Sequence, residues 1–375
     1  MWVLWRTGLK FVYDRGAYVE DNNEKLKQNT DRDDFAVPKQ RRFRLLGKVS
    51  VVLAVASAAV VGLGLAAYLR CPIPLPEDVA HVDVVIPKGA SARRVVELTR
   101  QAGVNLPSFV LLSAMKFEGA SQSIHVGRYR FERGMSLHEV IGKFRDADVQ
   151  EGTVTVADGM TEWQLRAMLA EHPDLQADTK ALSAQELLRS IGSSHTHLEG
   201  LFAPDTYHFK SGVSDLSVLK TAYKRQMQLL EAAWQTRPGD SLLKTPYQAL
   251  ILASIIEKET SKSADRTLVS SVFHNRLRVR MPLQTDPTVI YGLGASFDGN
   301  LRKRDLKEPG IYNTYVNYGL PPTPISMPTK ASIEAALHPA RTEFLYFVAR
   351  GDGTTQFSKT LEEHNRAVNR YQKGK

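Results

Sequence analysis

ILASIIEKET, Ile251 to Thr260, is an almost wholly apolar run that ends in two carboxylates, Glu257 and Glu259, on either side of Lys258. Apolar runs of this length go into cores, and cores exclude unpaired charge. Upstream, Thr245 and Pro246 supply an N-cap and a proline at the first helical position, so a helix is expected to start there. Leu250, Ala253 and Glu257 then recur at i, i+3 and i+7, which puts Glu257 on the line of a buried face. Glu259 lies two residues on and points elsewhere around the 3.6-residue turn. A carboxyl desolvated where Glu257 sits holds its proton toward neutral pH, as a general acid must. The alternative is a Glu257 paired with Lys258, Lys262 or Arg266 at the helix end. The helix by itself leaves both open.

Working outward, 375 residues are enough for two or more domains, each with its own core. The net charge of +9 is mild and scattered: residues 1–48 hold 11 Lys and Arg against 7 Asp and Glu. With no zinc finger or aromatic RNA-binding motif, a nucleic-acid partner is not expected. One segment departs from globular patterning. VSVVLAVASAAVVGLGLAAYL, Val49 to Leu69, is uncharged and long enough to cross a bilayer as a helix. Lys39, Arg41, Arg42, Arg44 and Lys48 crowd its N-terminal side, whereas Glu77, Asp78 and Asp83 come before the next cation beyond Arg70, Lys88. The positive-inside rule places residues 1–48, a polar tail, in the cytoplasm and 70–375 outside. The run is too long and too far from the N-terminus for a cleaved signal peptide. Cys71 is the one cysteine, so no intrachain disulfide forms.

After a Pro-stiffened linker, 70–81, a pattern appears three times: a β-rich run, a glycine turn, a Ser or Thr cap and an amphipathic helix. The glycines are Gly89, Gly134 and Gly159, and the caps are Ser91, Ser136 and Thr161. Ser136 with Glu139, and Thr161 with Gln164, have capping-box spacing. Such units occur in many folds. Further on, LEGLFAPDTYHF gathers Glu199, Asp205 and Tyr207; MPLQTDPTVIYG offers Gln284, Thr285 and Asp286; YNTYVNYGLPPTPI offers Tyr312, Asn313 and Tyr315. Aromatic faces beside amides and carboxylates suit sugars, although Asp286-Pro287 also reads as a helix start and Asp205 as a turn residue. His195 and His197 have no partner motif, HExxH is absent, and neither a metal nor a cofactor is expected. FLYFVAR, GDG and TTQFS read as a hairpin, closed by a helix over LEEHNRAVNRY.

ASIIEKET, RLRVRMPLQTDPTVIYG, YNTY with GLPPTPI, and AALHP, in this order, resemble the endolytic murein transglycosylases of bacteria. LEGLFAPDTY resembles that family's EG-x-x-x-PDTY element. The resemblance implies an α+β chain: a single transmembrane helix at 49–69, a small LysM-like module at 82–150 and a larger mixed catalytic domain at 151–375. It implies a single-pass bacterial inner-membrane protein whose catalytic domain is periplasmic. It implies peptidoglycan glycan strands as substrate, cut to 1,6-anhydromuramoyl ends as nascent strands are made, near penicillin-binding synthases. The family's catalytic Glu carries over onto Glu257, with Gln284, Asp286, Tyr312, Asn313 and Tyr315 as cleft residues and Glu199, Asp205 and Tyr207 on its wall. Two positions depart from the pattern: Ala203 replaces a larger residue, and Thr355 stands where a His is common. Two other readings stay open. A muramidase-type hydrolase needs a second carboxylate, for which Asp286 or Glu199 is a candidate. A non-enzymatic wall anchor would use the small module alone.

Overall fold

In the computed structural model the described residues are 39–122, 124–372 and 374, with backbone alone over 39–47. The expectations for the N-terminal tail up to residue 38 lie outside them. Helix α1 (Lys39–Arg70) contains a 23-residue stretch, Lys48–Arg70, of mean hydropathy 2.4 with none of its apolar window buried. At 1.5 Å per residue that stretch measures about 35 Å, enough to cross a bilayer. The described residues divide into two units at Gly64 and Leu65.

The larger unit contains two cores. In the first, β1 (His81–Ile86) is followed by α2 (Ala92–Gln101) and α3 (Ser108–Phe117), and β2 (Gly127–Glu132) by α4 (Leu137–Arg145). The strands pair antiparallel, from His81 opposite Glu132 to Ile86 opposite Gly127. Their alternation sends Val82, Val84, Ile86, Tyr129 and Phe131 inward, and Phe144 of α4 packs on Tyr129 and Phe131 with ring centroids 4.8 and 5.4 Å apart. Ser91 caps α2, and Ser136 with Glu139 closes the capping box of α4.

The second core starts with the third strand–turn–helix, β3 (Glu151–Val156) and α5 (Glu162–Ala170). Next come β4 (Leu175–Gln176), α6 (Ala184–Ile191), β5 (Asp205–Lys210), β6 (Val213–Ser214) and α7 (Asp215–Gln235). The chain continues through α8 (Pro246–Glu259), α9 (Ser263–Arg278), α10 (Asp286–Leu293) and α11 (Lys330–Leu337). It ends in the hairpin β7 (Tyr346–Ala349) and β8 (Thr355–Ser358), then α12 (Leu361–Tyr371). Strand β3 pairs with β5 and not with β1 or β2, so the third repeat joins a different core from the first two. The α+β class and the C-terminal hairpin and helix agree with the sequence reading.

The axis of this second core is α8. Every residue from Ala249 to Ile256 is buried, because α7, α9 and α11 surround it. Ser254, the one polar residue in that run, is fully satisfied. Its hydroxyl donates to Ile251 O at 2.7 Å and accepts from Ile325 N–H at 3.0 Å, while its carbonyl accepts from Ser326 Oγ at 3.1 Å.

The two cores meet where backbones nearly touch. Gly212, at φ +88°, leaves no room: a Cβ there would lie 2.6 Å from Val126 O and 2.7 Å from the Gly127 backbone. Arg128 pairs with Asp174 across the junction at 3.0 Å. Gly212→Ala therefore combines left-handed strain with a clash and should cost about 3 kcal/mol, whereas Gly89→Ala, at φ +75° in open space, should cost about 1 kcal/mol. Urea midpoints of the two variants check this; equal losses would mean that the junction yields freely.

Candidate active site

Helix α8 delivers its two carboxylates to opposite sides, because two residues advance the helix by about 200°. Glu257 faces α11 and α9. Its Oε2 accepts from the Thr329 N–H at 2.8 Å and from Thr329 Oγ1–H at 2.6 Å, and its Oε1 lies 3.6 Å from the Arg266 guanidinium. Thr329 is itself the N-cap of α11, accepting from Ser332 N–H. The Glu257 side chain is 4% exposed and thus ties three helices together. The apolar setting expected for it is corrected: a threonine and an arginine occupy the carboxyl, and the partner proves to be the Arg266 of the alternative reading.

Glu259 faces a polar cleft of about 660 Å³, which Glu257 does not line. Gln284, Asp286, Tyr315 and Arg276 share its walls, opposite Tyr346, Thr355, His364 and Asn365 of the hairpin and α12. Thr285 Oγ1–H donates to the Glu259 carboxylate. Burial is the main reason that the Glu259 pKa is pushed up to about 7; the charge of Asp286 adds to it, and the Thr285 hydrogen bond and Arg276 oppose it. This raised carboxyl lies on the side of α8 away from Glu257. Because all sides of the helix upstream are buried, the apolar pattern could not say which side faces the cleft.

The loops around Glu259 are built to hold it. Gln284 sits at φ +49°, an unusual conformation for a residue with a side chain, fixed by its N–H donating to Thr314 O at 3.0 Å. The Thr285 N–H donates to Thr314 Oγ1 at 3.1 Å. Asp286 opens α10, and its Oδ1 accepts from Tyr315 O–H at 2.6 Å. Asn313 is buried and works on backbone: its amide donates to Asp305 O and Glu308 O, and its Oδ1 accepts from Tyr315 N–H. Arg276, also buried, donates to Leu345 O at 2.7 Å and Leu283 O at 2.8 Å, joining the hairpin to the Gln284 loop. Sequence reasoning passed over Arg276, although it opens the motif RLRVRMPLQTDP; an arginine flanked by buried helix residues was the available signal.

A second acidic centre lies farther along α10. Glu199, 2% exposed, accepts the Glu162 N–H at the start of α5 at 3.1 and 3.2 Å, and the Tyr291 hydroxyl donates to it. Burial dominates and lifts its pKa to about 7. Tyr291 stands between Trp163 and Tyr312, with centroids 5.2 and 4.9 Å away, and the Tyr312 hydroxyl is bonded to Thr323 Oγ1 at 2.8 Å. Trp163 and Tyr291 escaped the sequence reading. Asp205 and Tyr207 are not brought to the cleft: Asp205 pairs with Arg225 at 2.7 Å, and the buried Tyr207 donates to Ala203 O at 2.7 Å. Two residues apart on β5, they share one of its faces, and Tyr207 is the more buried of the two. Of the two departures, Ala203 is fully buried, and Thr355 lines the cleft while donating to Asp265 at 2.7 Å.

A family model described as the YceG-like family matches residues 84–370. The chain belongs to the YceG-like family. The chain is 33% identical over 309 residues to an endolytic murein transglycosylase of Bacillus subtilis (strain 168), covering 77% of this chain and 84% of that one. It is 25% identical over 324 residues to a protein of the same name from Streptococcus pneumoniae serotype 2, and spans 58% of that relative's length. A crystal structure of a yceG-like protein from Listeria monocytogenes is 28% identical, covering 76% of this chain and 98% of that one, with a TM-score of 0.48. The resemblance read from the ordered motifs is thus the family itself.

The two glutamates of this YceG-like chain respond to substitution in opposite ways. A carboxyl whose folded pKa is raised, as for Glu259, lets the folded state hold a proton that the unfolded state releases. Stability is therefore lost as pH rises from about 4.5 to about 7. Glu259→Gln removes that penalty and should raise stability at pH 8 by roughly 2–3 kcal/mol relative to its effect at pH 4. Glu257→Gln leaves Arg266 without its partner and should cost about 3 kcal/mol at neutral pH. Denaturant titrations at the two pH values decide; an effect of Glu259→Gln that is the same at pH 8 as at pH 4 would contradict this.

Proposed function

We propose that this chain is a membrane-anchored lytic transglycosylase of peptidoglycan, cutting glycan strands internally between N-acetylmuramic acid and N-acetylglucosamine, with Glu259 as general acid/base in place of Glu257. The observation that carries the residue assignment is a carboxyl raised to about 7 in a polar cleft beside Gln284, Asp286 and Tyr315. The names of the bacillar and streptococcal relatives support the reaction.

One carboxyl can run both halves of the reaction. The Glu259 proton goes to the glycosidic oxygen, the bond to the muramoyl C1 breaks, and the N-acetylglucosamine leaves with a new 4-hydroxyl. The muramoyl 6-hydroxyl then bonds to C1 and gives its proton to the Glu259 carboxylate, so a 1,6-anhydro ring forms and the acid is restored. No water is consumed. Asp286 assists by its charge, which keeps the Glu259 proton in place, and the Tyr315 hydroxyl holds Asp286 in position. Arg276 limits the shift, so that the acid stays able to give its proton up. Trp163, Tyr291 and Tyr312 supply aromatic faces for sugar rings beside Glu199.

The apolar stretch of α1 supports an anchor in the inner membrane, with the basic flank inside and the cleft on the periplasmic side, where nascent strands and their synthases are found. Asp286 is the specific feature that favours hydrolysis as a second reading, since a second carboxylate could activate water.

Mass spectrometry of uncrosslinked glycan strands treated with the full chain separates the readings. Internal fragments with 1,6-anhydro ends are expected from wild type; reducing ends, one water heavier, would make the enzyme a hydrolase. Glu259→Gln should lower kcat by roughly 10²–10⁴-fold, and folded Glu257→Gln should keep most of its activity. Since the protonated form starts the reaction, kcat/KM should fall as pH rises through about 7.

A further inference from the structure

Helix α3, SFVLLSAMKF, turns Leu111, Ala114 and Met115 into the first core, yet leaves two phenylalanines in the open: Phe109 is 72% exposed and Phe117 is 77% exposed. Phe109, Ser113 and Phe117 follow one another at i+4, so they form a single stripe along the helix. Scattered exposed apolar residues are ordinary, but two aligned phenylalanines beside an apolar groove mark an interaction surface.

The opposite wall of that groove identifies the occupant. A cavity of about 370 Å³ is enclosed by Phe109, Val110 and Phe117 on one side and by Leu65, Tyr68 and Leu69 on the other. Those last three residues belong to the final turns of α1, inside the apolar stretch Lys48–Arg70. Where these turns lie at the edge of a bilayer, Phe109 and Phe117 lie at the same depth. Tyr68 on this wall is a residue type enriched at membrane interfaces. The adjoining surface is cationic. Arg93 and Arg100 of α2 line a second cavity with Phe109 and Leu112, Lys116 is exposed on α3, and Arg70 closes α1. Glu97, the acid among them, is neutralised by Arg94 at 2.9 Å. Aromatic residues for the acyl boundary, rimmed by cations for anionic headgroups, match a lipid surface.

We propose that the α3 stripe of Phe109 and Phe117 inserts into the headgroup–acyl boundary of the leaflet from which α1 emerges, so that the first core is held against the membrane by two contacts instead of one. The proposal rests on α1 spanning the membrane, the anchor reading given above. Its consequence is orientation: a module fixed at two points on the bilayer cannot swing freely about the end of α1, and neither can the core joined to it through Gly127, Gly212 and the Arg128–Asp174 pair.

The test uses the full chain in vesicles of phosphatidylethanolamine and phosphatidylglycerol. With Cys71→Ser as background, single cysteines at Ala58, Ser113 and Glu231 carry an environment-sensitive fluorophore, and both phenylalanines stay in place. Quenching by doxyl-labelled lipid is compared with quenching by aqueous iodide. The expected result is lipid quenching at positions 58 and 113 and iodide quenching at 231. Adding Phe109→Ser and Phe117→Ser, both at exposed positions, should then move the probe at 113 from lipid to water, with a several-fold loss of lipid quenching. A probe at 113 open to iodide while that at 58 is in lipid overturns this proposal and leaves the anchor standing. A probe at 58 open to iodide overturns the anchor reading itself. Shielding of 113 from both quenchers means a protein contact, and also overturns the proposal.

Discussion

The burial of α8 on every side is the constraint on which the rest of the molecule depends. Eight consecutive buried residues leave the helix no freedom to rotate or slide, so whatever its last turn carries is held in fixed directions. Glu257 and Glu259 occupy that turn about 200° apart, and the fold uses the difference. Glu257 is given to Thr329 and Arg266, and so joins α8 to α11 and α9. Glu259 is left facing the cleft with one hydroxyl donor, a neighbouring carboxylate and a partly offsetting arginine. The same helix thus carries one acid bonded between helices and another that faces the cleft with its pKa raised.

What surrounds Glu259 follows from the need to present it. A fixed acid is useful only if the groups opposite it are equally fixed, and the loops that bear Gln284, Asp286 and Tyr315 contain no long regular structure to do this. Their rigidity comes from side chains bonded to backbone: Asn313 to three backbone groups, Arg276 to Leu283 and Leu345, and Thr314 to Thr285. This is the physical content of the polar clusters in YNTY and QTDP. Tyr312 packs against Tyr291, Asn313 organises backbone, and Tyr315 bonds Asp286, so that residues one after another in the chain serve different ends.

Much of this was legible in the sequence, and the limits have physical causes. The strand–turn–helix units, the caps at Ser91, Ser136 and Thr161, the C-terminal hairpin and the apolar span follow from local periodicity and turn chemistry, which act over a few residues. That the third unit joins a different core was not legible, because the pairing of β3 with β5 bridges some fifty residues and leaves no local trace. Which side of α8 faces the cleft was not legible for a related reason. A helix buried on all sides has no polar face to mark direction, and the line Leu250–Ala253–Glu257 pointed into the core and away from the cleft. Asp205 and Tyr207 adjoin Glu199 in the chain, but they lie on β5, where Arg225 and the Ala203 carbonyl engage them away from the cleft lining.

The most direct measurement is the titration of the Glu259 carboxyl itself, by infrared difference spectra of wild type against Glu259→Gln over a range of pH, with Glu257→Gln as a parallel. With Glu199→Gln as the common background, which removes the other carboxyl raised to about 7, the chain bearing both Glu257 and Glu259 and its Glu257→Gln variant should show a protonated-carboxyl band that is missing from Glu259→Gln and disappears only near pH 7. A band that titrates near 4.5, or one lost with Glu257 and kept without Glu259, would contradict it.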